Sequence, residues 1–476
     1  MIKRQPSEKG QVLVLIVLAL VVLLGFTALA VDGGMVYSDR RHAQNTGDAA
    51  SLAGGSAAAL TLENSSVTYG NWDCSNSAIG DARDDAEAAA IDRAGDNGFA
   101  IDDNVADHHG VTTACGEENH GAWTEKFIDV TTEISTTTRT SFAHFVYPGK
   151  LQSRIKAVTR IRPRASLGFG NSIVALNEEQ SCHGGTPNGV VFEGNVDVQV
   201  TGGGIFSNGC IQASGNSFDV GVECTDDTPD EGCIVHVGDL ETNHVENFDP
   251  EPDSGDGLLL PDFALLYPNL ENCNDSSLEH DPDSPGNEYR THVGGTFADP
   301  DEIVPGNYSE IQLTGSVVMR PGLYCLYGDF DVGNNDLQGE DVTIFMISGS
   351  FNVNGGGVVN IHAPTGDPDT LAPAIPGMLI YMADCSQTTF QYCPAGENEG
   401  TIKLRGNTDS TFEGTIFAPL GRIDIAGTPD MPEDSDAVFN TQLIAKDVEI
   451  GGNSIVDVNF DEETNYIMPT NLELHR

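Results

Sequence analysis

The sequence predicts a membrane-anchored α+β chain: an N-terminal transmembrane helix prolonged as a stalk, a small α/β head, and a C-terminal, mainly β outer domain wound as a parallel β-helix (solenoid). Three observations carry this expectation. Residues 12–30 form a run of 19 uncharged residues, mostly Val, Leu, Ile and Ala. Residues 60–165 pass from an Ala-rich helical pattern to Thr-rich alternating segments. From about residue 166 onward, short apolar runs recur behind Gly-Asn, Gly-Ser, Gly-Asp or Gly-Thr pairs.

The first element is the anchor. As a helix, residues 12–30 can cross a hydrocarbon layer about 30 Å thick. Lys3, Arg4 and Lys9 precede the run and Asp32 follows it. Positive charge stays cytoplasmic, so residues 1–10 read as a cytoplasmic leader, 11–31 as the span and the rest as extracytoplasmic. A cleaved secretory signal is the rival reading: its apolar core would be shorter, but Ala28-Leu29-Ala30 has the form of a cleavage site. The Ala- and Gly-rich stretch 32–59 has few turn formers before Gly54, so the same helix can continue outward as a narrow stalk.

Charge and cysteine content bound the rest. A chain of 476 residues suggests two or three domains. Its 22 Lys+Arg stand against 72 Asp+Glu, a net charge of −50. That excludes a nucleic-acid partner, which needs a basic footprint, and disfavours docking of the body onto anionic lipid. All ten cysteines follow the apolar run, from Cys74 to Cys393. Their even number and outer position fit disulfides. Cys224 with Cys233, and Cys385 with Cys393, are near enough to close local loops; the other six stay open. His108, His109, Cys115 and His120 match no common metal-site spacing.

In the head, residues 60–165, Ala82, Ala86, Ala88, Ala89, Ala90 and Ile91 mark a helix over 81–97, ended by Gly95-Asp96-Asn97-Gly98. Residues 127–138 and 155–161 read as strands. Arg154, Lys156, Arg160, Arg162 and Arg164 form the one basic cluster beyond the leader. They suit a basic strand edge that discourages pairing or balances acidic neighbours, or a docking strip for an acidic partner such as the chain's own outer domain.

In the outer domain, residues 166–476, the repeated pairs begin at Gly194, Gly215, Gly315, Gly328, Gly349, Gly406, Gly427 and Gly452. The intervals 194–215, 328–349 and 406–427 are each 21 residues. Such a period marks a solenoid, with Val, Ile and Phe turned inward and Gly at the corners. Pro305-Gly306-Asn307-Tyr308 and Pro321-Gly322-Leu323-Tyr324 read as two equivalent corners. A β-sandwich is the alternative. Residues 225–303 carry 21 Asp/Glu and one Arg and read as an acidic insertion.

No catalytic set stands out: Gly-x-Ser-x-Gly, P-loop and HExxH are all lacking. Asp249, Glu251, Asp253 and Asp256 could converge on Ca2+, the one cofactor the sequence suggests. An EF-hand would have Gly and Glu where Ser254 and Leu260 stand. Asp329, Asp331 and Asp336, with Arg320 near, are what a carbohydrate-active β-helix would use, the enzymatic alternative.

Several phrases occur in one order: Gly10-Gln11-Val12-Leu13-Val14-Leu15, Ala30-Val31-Asp32-Gly33-Gly34-Met35-Val36-Tyr37, Arg40-Arg41, and Ala43-Gln44-Asn45-Thr46-Gly47-Asp48-Ala49-Ala50-Ser51-Leu52-Ala53-Gly54-Gly55. They resemble the N-terminal segment of the TadE/TadG-like proteins of Tad (Flp) pilus assembly. The resemblance implies a non-enzymatic protein of the cell envelope with a pseudopilin-like head. Its body would serve pilus assembly, adhesion or surface contact. Its partners would be the membrane, other Tad pilus or envelope proteins and, for the body, a surface polysaccharide. Related prepilin-like proteins are cut after a Gly, here between Gly10 and Gln11, and carry Glu at the fifth mature position. Leu15 stands there, which favours a permanently anchored chain.

Overall fold

A computed structural model describes residues 11–103, 108–119, 124–142, 151–182, 188–215, 217–223, 233–242, 244–257, 289–366, 374–382, 399–405, 410–427 and 437–475. The chain divides into two compact units. One comprises residues 1–118, 125–164 and 470–476, the other 119–124 and 165–469.

The first unit is built on α1, Gln11–Asn64, one unbroken helix of 54 residues. The helix does continue past the apolar run, but from Ala43 it is packed rather than a bare stalk: Ala43, Ala50, Ala58, Ala59 and Leu62 are buried. A second helix, α2 (Ser77–Asp96), starts at Asn76, whose side chain accepts the Ala78 N–H at 3.0 Å. Ala82, Ala86, Ala90 and Ala94 recur every four residues and form its buried stripe. Gly98, at φ 85°, turns the chain out of it. Gly54 and Gly55 explain the small residues of the motif. A Cβ at Gly54 would lie 2.7 Å from the Ala86 carbonyl oxygen, and one at Gly55 2.7 Å from Thr159 Cγ2. Only glycine lets α1 approach both α2 and the sheet this closely.

That sheet is antiparallel: β1 (Gly110–Asn119), β2 (Thr124–Thr138), β3 (Leu151–Arg162) and the C-terminal strand Asn471–His475, in that order. The last strand pairs with β3, so it leaves the outer domain to which the sequence assigned residues 166–476. A Cys74–Cys115 disulfide ties the segment before α2 to β1.

The second unit is built on one continuous ladder whose strands, among the described residues, pair parallel; beside it Ala165–Ser166 and Ile467–Met468 form a short antiparallel pair. A β-sandwich would be antiparallel. From Val317–Met319 through Met378–Met382 each strand pairs with the third strand after it, as Gly322–Leu326 with Val342–Met346 and that with Met378–Met382, Phe330–Gly333 with Phe351–Val353, and Leu337–Gly339 with Val359–His362. Three strands therefore make one tier. Val, Ile, Leu and Phe alternate inward, from Ile173 through Phe330, Phe351 and Phe412 to Val458.

The glycine repeat is one tier long. Gly427 is in register with Gly452 and Gly452 with Gly194, and a Cβ on Gly215 would lie 2.0 Å from the Gly194 carbonyl oxygen. A Cβ on Gly349 would likewise lie 2.4 Å from the Gly328 carbonyl carbon. Gly406 lies outside the described residues. The order of tiers was not legible. The long strand Leu443–Asn459 pairs with Asn171–Ala175 and Val190–Thr201, so the last tier seats on the first. The chain leaves one end of the ladder at Asp253–Ser254 and re-enters at the other with Tyr289–Val293. Within the acidic stretch 225–303, Ile234–His236, Leu240–Glu241 and Phe248–Asp249 are ladder strands rather than an excursion.

The two Pro-Gly corners are equivalent in structure. Tyr308 Oη donates to the Val304 carbonyl at 2.5 Å, and Tyr324 Oη to the Arg320 carbonyl at 2.8 Å, four residues back in each case. The rings stack with centroids 6.1 Å apart. Tyr324 Oη also lies 3.0 Å from the Ile303 carbonyl, and its burial keeps the hydroxyl protonated well beyond the usual phenol range. Tyr324→Phe keeps the ring and takes the hydroxyl from the Arg320 carbonyl, while the Ile303 carbonyl keeps the Arg320 N–H at 3.0 Å. It is expected to cost about 1–3 kcal/mol, read as a lower denaturation midpoint at unchanged slope.

Candidate functional site

The largest chemical anomaly in the first unit is the first half of α1. Leu13, Leu15, Val21, Leu23, Phe26 and Leu29 are between 60% and 71% exposed, and the most apolar stretch of the helix buries nothing within the protein. Exposed apolar area on this scale needs a nonaqueous partner. The run ends at Asp32, which is only 4% exposed. Its carboxylate accepts the Ser141 N–H at 2.7 Å and the Phe142 N–H at 2.9 Å, so the turn after β2 is fastened to the helix where the apolar run stops. Gln11 opens α1, while Gly10 lies outside the described residues.

Three residues of the basic cluster, Arg160, Arg162 and Arg164, balance acidic neighbours, one of the roles that the sequence suggested. β3 lies between β2 and the C-terminal strand, which pairs with its residues 158–162. Arg160, 8% exposed, forks onto Asp129 through Nε at 2.9 Å and Nη2 at 3.0 Å, and reaches Glu125 through Nη1 at 2.8 Å. Its guanidinium sits 3.6 Å over the Phe127 ring. Arg162 joins Glu125 and Glu473, and Arg164 joins Glu63. Hydrogen bonding to Asp129 raises the Arg160 pKa further above its ordinary value, so this charge is permanent. The sequence showed the arginines but not which acids they meet, since these come from β2, from the end of α1 and from a strand more than 300 residues away.

On the second unit, four tiers line a cavity of about 590 Å³ with Arg320, Gln338, Glu340, Asn360, His362 and Thr411 over Met319 and Gly339. Its charges are paired: Arg320 with Glu302 at 2.6 Å, His362 Nδ1 with Glu340 at 2.9 Å. Asp329, Asp331 and Asp336 do not converge there. Asp329 accepts the Ser350 N–H at 2.9 Å, and Asp336 accepts the Ser316 hydroxyl at 2.8 Å and the Val358 N–H at 2.9 Å. Both cap neighbouring tiers. Elsewhere on the ladder, burial lifts the Glu449 carboxyl above its usual range although Arg422 lies 3.1 Å away.

Among the described residues no three His, Cys, Asp or Glu side chains gather as a metal site. Asp249 ends one strand and Asp253 begins the next, with Glu251 between them and Asp256 beyond. Cys115 is in its disulfide, His108 Nδ1 meets Glu133 at 2.8 Å, and His109 bonds the Ala100 carbonyl. Cys182 is bonded to Cys210, and Cys233 and Cys325 are also in disulfides. Cys224, Cys385 and Cys393 lie outside the described residues.

No curated protein and no solved structure matches this chain. One family does match, described as Putative Flp pilus-assembly TadE/G-like, over residues 10–59. Those residues hold the exposed apolar run, Asp32 and the packed Gly54-Gly55 turn of α1, and it is this N-terminal segment of the chain that is similar to the Tad, TadE/G-like family.

Proposed function

We propose that the chain is a permanently anchored, non-enzymatic component of Tad (Flp) pilus assembly. It crosses the membrane once through α1 and holds its β-rich unit outside the cell for assembly or surface contact. The observation that carries this is the coincidence of the family segment with a helix that exposes a bilayer-length apolar surface. Lys3, Arg4 and Lys9 before the run set the orientation. In the same reading the helix-on-sheet unit is a pseudopilin-like head and the parallel ladder a three-sided β-helix. The pairing of successive strands with the third one on supports the latter.

A carbohydrate-active β-helix is the less favoured reading, because glycoside hydrolysis generally uses two carboxyl groups facing one bond. The polar cavity offers Glu340 alone among its lining residues, and that carboxylate is paired with His362. The cavity suits a polyhydroxyl surface ligand better than a cleavage reaction.

The test is genetic and biochemical. Removing the chain from a host that assembles Flp pili is expected to abolish pili in electron micrographs, and a variant lacking residues 13–31 is expected not to restore them. Protease added to spheroplasts should digest the β-rich unit of the intact protein. Normal piliation without the chain would overturn the assembly role, and a protected body would overturn the orientation.

A further inference from the structure

The contact between Asp32 and the turn after β2 has a consequence for the membrane. Asp32 is the first ionisable residue after the apolar run, so in a bilayer it lies at the hydrocarbon boundary. A carboxylate there is costly unless hydrogen-bonded, and a turn with unpaired N–H groups is costly for the same reason. The two needs are met together: Ser141 and Phe142 give their N–H groups to the two oxygens of Asp32, at 2.7 and 2.9 Å. This fixes the turn at the depth where the helix leaves the lipid.

The side chains around the contact fit that depth. Phe142 is 44% exposed although it is held by its backbone. On α1, Val31, Met35 and Tyr37 are 42%, 39% and 68% exposed, continuing the apolar surface past Asp32. Ser141 Oγ lies 4.0 Å from Met35 Sδ, which sets the turn against that same side of the helix. Aromatic rings are favoured at the interfacial layer, where an apolar ring meets hydrated headgroups. A chain with net charge −50 gains little from anionic lipid. An aromatic, uncharged contact is therefore the available way to hold the first unit at the surface.

We propose that the Ser141–Phe142 turn is a second membrane contact, clamped by the Asp32 carboxylate so that the Phe142 ring sits in the interfacial layer of the bilayer beside the spanning helix. The occupant of this surface is lipid. The inference rests on the reading of α1 as a span, and the experiment separates the two.

The full chain is placed in phosphatidylcholine nanodiscs with lipids brominated near the headgroup end or near the methyl end of the acyl chains. Phe142→Trp and, separately, Leu24→Trp add one reporter each to a parent that keeps its own tryptophans. Emission added by the Phe142→Trp change is expected to fall by roughly half with headgroup-end bromine and less with methyl-end bromine, as for a ring at the interface. Emission added by Leu24→Trp should follow the opposite order. Asp32→Ala in the Phe142→Trp background should remove most of the quenching and shift that emission to longer wavelength, while the Leu24→Trp signal stays unchanged. Quenching at position 24 without quenching at 142 overturns the proposal and leaves the anchor intact. No quenching at 24 overturns the anchor and the proposal with it. Quenching at 142 that survives Asp32→Ala overturns the clamp.

Discussion

Gly194→Val is expected to destabilise the β-rich unit by about 3 kcal/mol or more, the combined cost of left-handed backbone strain and an overpacked site. Gly194 sits at φ 99°, a conformation a β-branched residue avoids. Space is the second obstacle. A Cβ there would lie 2.3 Å from the Gly452 carbonyl oxygen, on the tier that closes the ladder against its own first tier. The obstruction is backbone, so no side-chain rotation relieves it. The two tiers would have to separate, and with them the paired stretch from Val190 to Thr201 against Leu443–Asn459.

A control distinguishes this from a general intolerance of the ladder to larger residues. Gly451, one residue before Gly452, has no left-handed φ, and its nearest neighbour to a Cβ is 3.6 Å away. Gly451→Ala is expected to stay within about 0.5 kcal/mol of the parent. Urea denaturation of the full chain in detergent, followed by far-ultraviolet circular dichroism, measures both. Equal midpoints for Gly194→Val and the parent would show that the glycine column does not control tier stacking.

That column also shows why part of the fold was legible in the sequence. A residue that must be glycine because another backbone passes above it recurs at the tier period, so Gly194, Gly215, Gly328 and Gly349 announced the repeat at 21 residues. The corners at Tyr308 and Tyr324 were legible for the same reason: each is a local bond between a hydroxyl and the carbonyl four residues back. The apolar run of α1 was legible from hydropathy alone. What stayed hidden depends on partners far apart in the chain. Neither the seating of Leu443–Asn459 on the first tier nor the addition of Asn471–His475 to the sheet of the first unit leaves a local signature. Asp32 was read only as the charge that ends the span, because its partners are the backbone of Ser141 and Phe142, which carry no side-chain pattern. The site was therefore legible as an apolar surface and illegible as a clamp.

In the basic cluster the arginines balance acidic neighbours, and Arg160→Leu tests how much that pairing contributes. In the folded first unit Arg160 neutralises Asp129 by two hydrogen bonds and Glu125 by a third, with Glu125 only 5% exposed. Removing the guanidinium leaves Asp129 without that fork and takes from Glu125 one of its two arginines, Arg162 remaining. Breaking a buried pair from one side typically costs about 3–5 kcal/mol, because the remaining charge is left in a poor solvent. Arg160→Lys should cost less, about 1–2 kcal/mol, since a point charge replaces the fork but still offsets the acids. Trp72, 6% exposed within the same unit, reports its unfolding by fluorescence. Arg160→Lys separates an ion-pair loss from a packing loss, because it keeps the charge and gives up the planar fork. A Lys variant no more stable than the Leu variant would mean that Arg160 acts through its contact with the Phe127 ring rather than as the counter-charge of these acids.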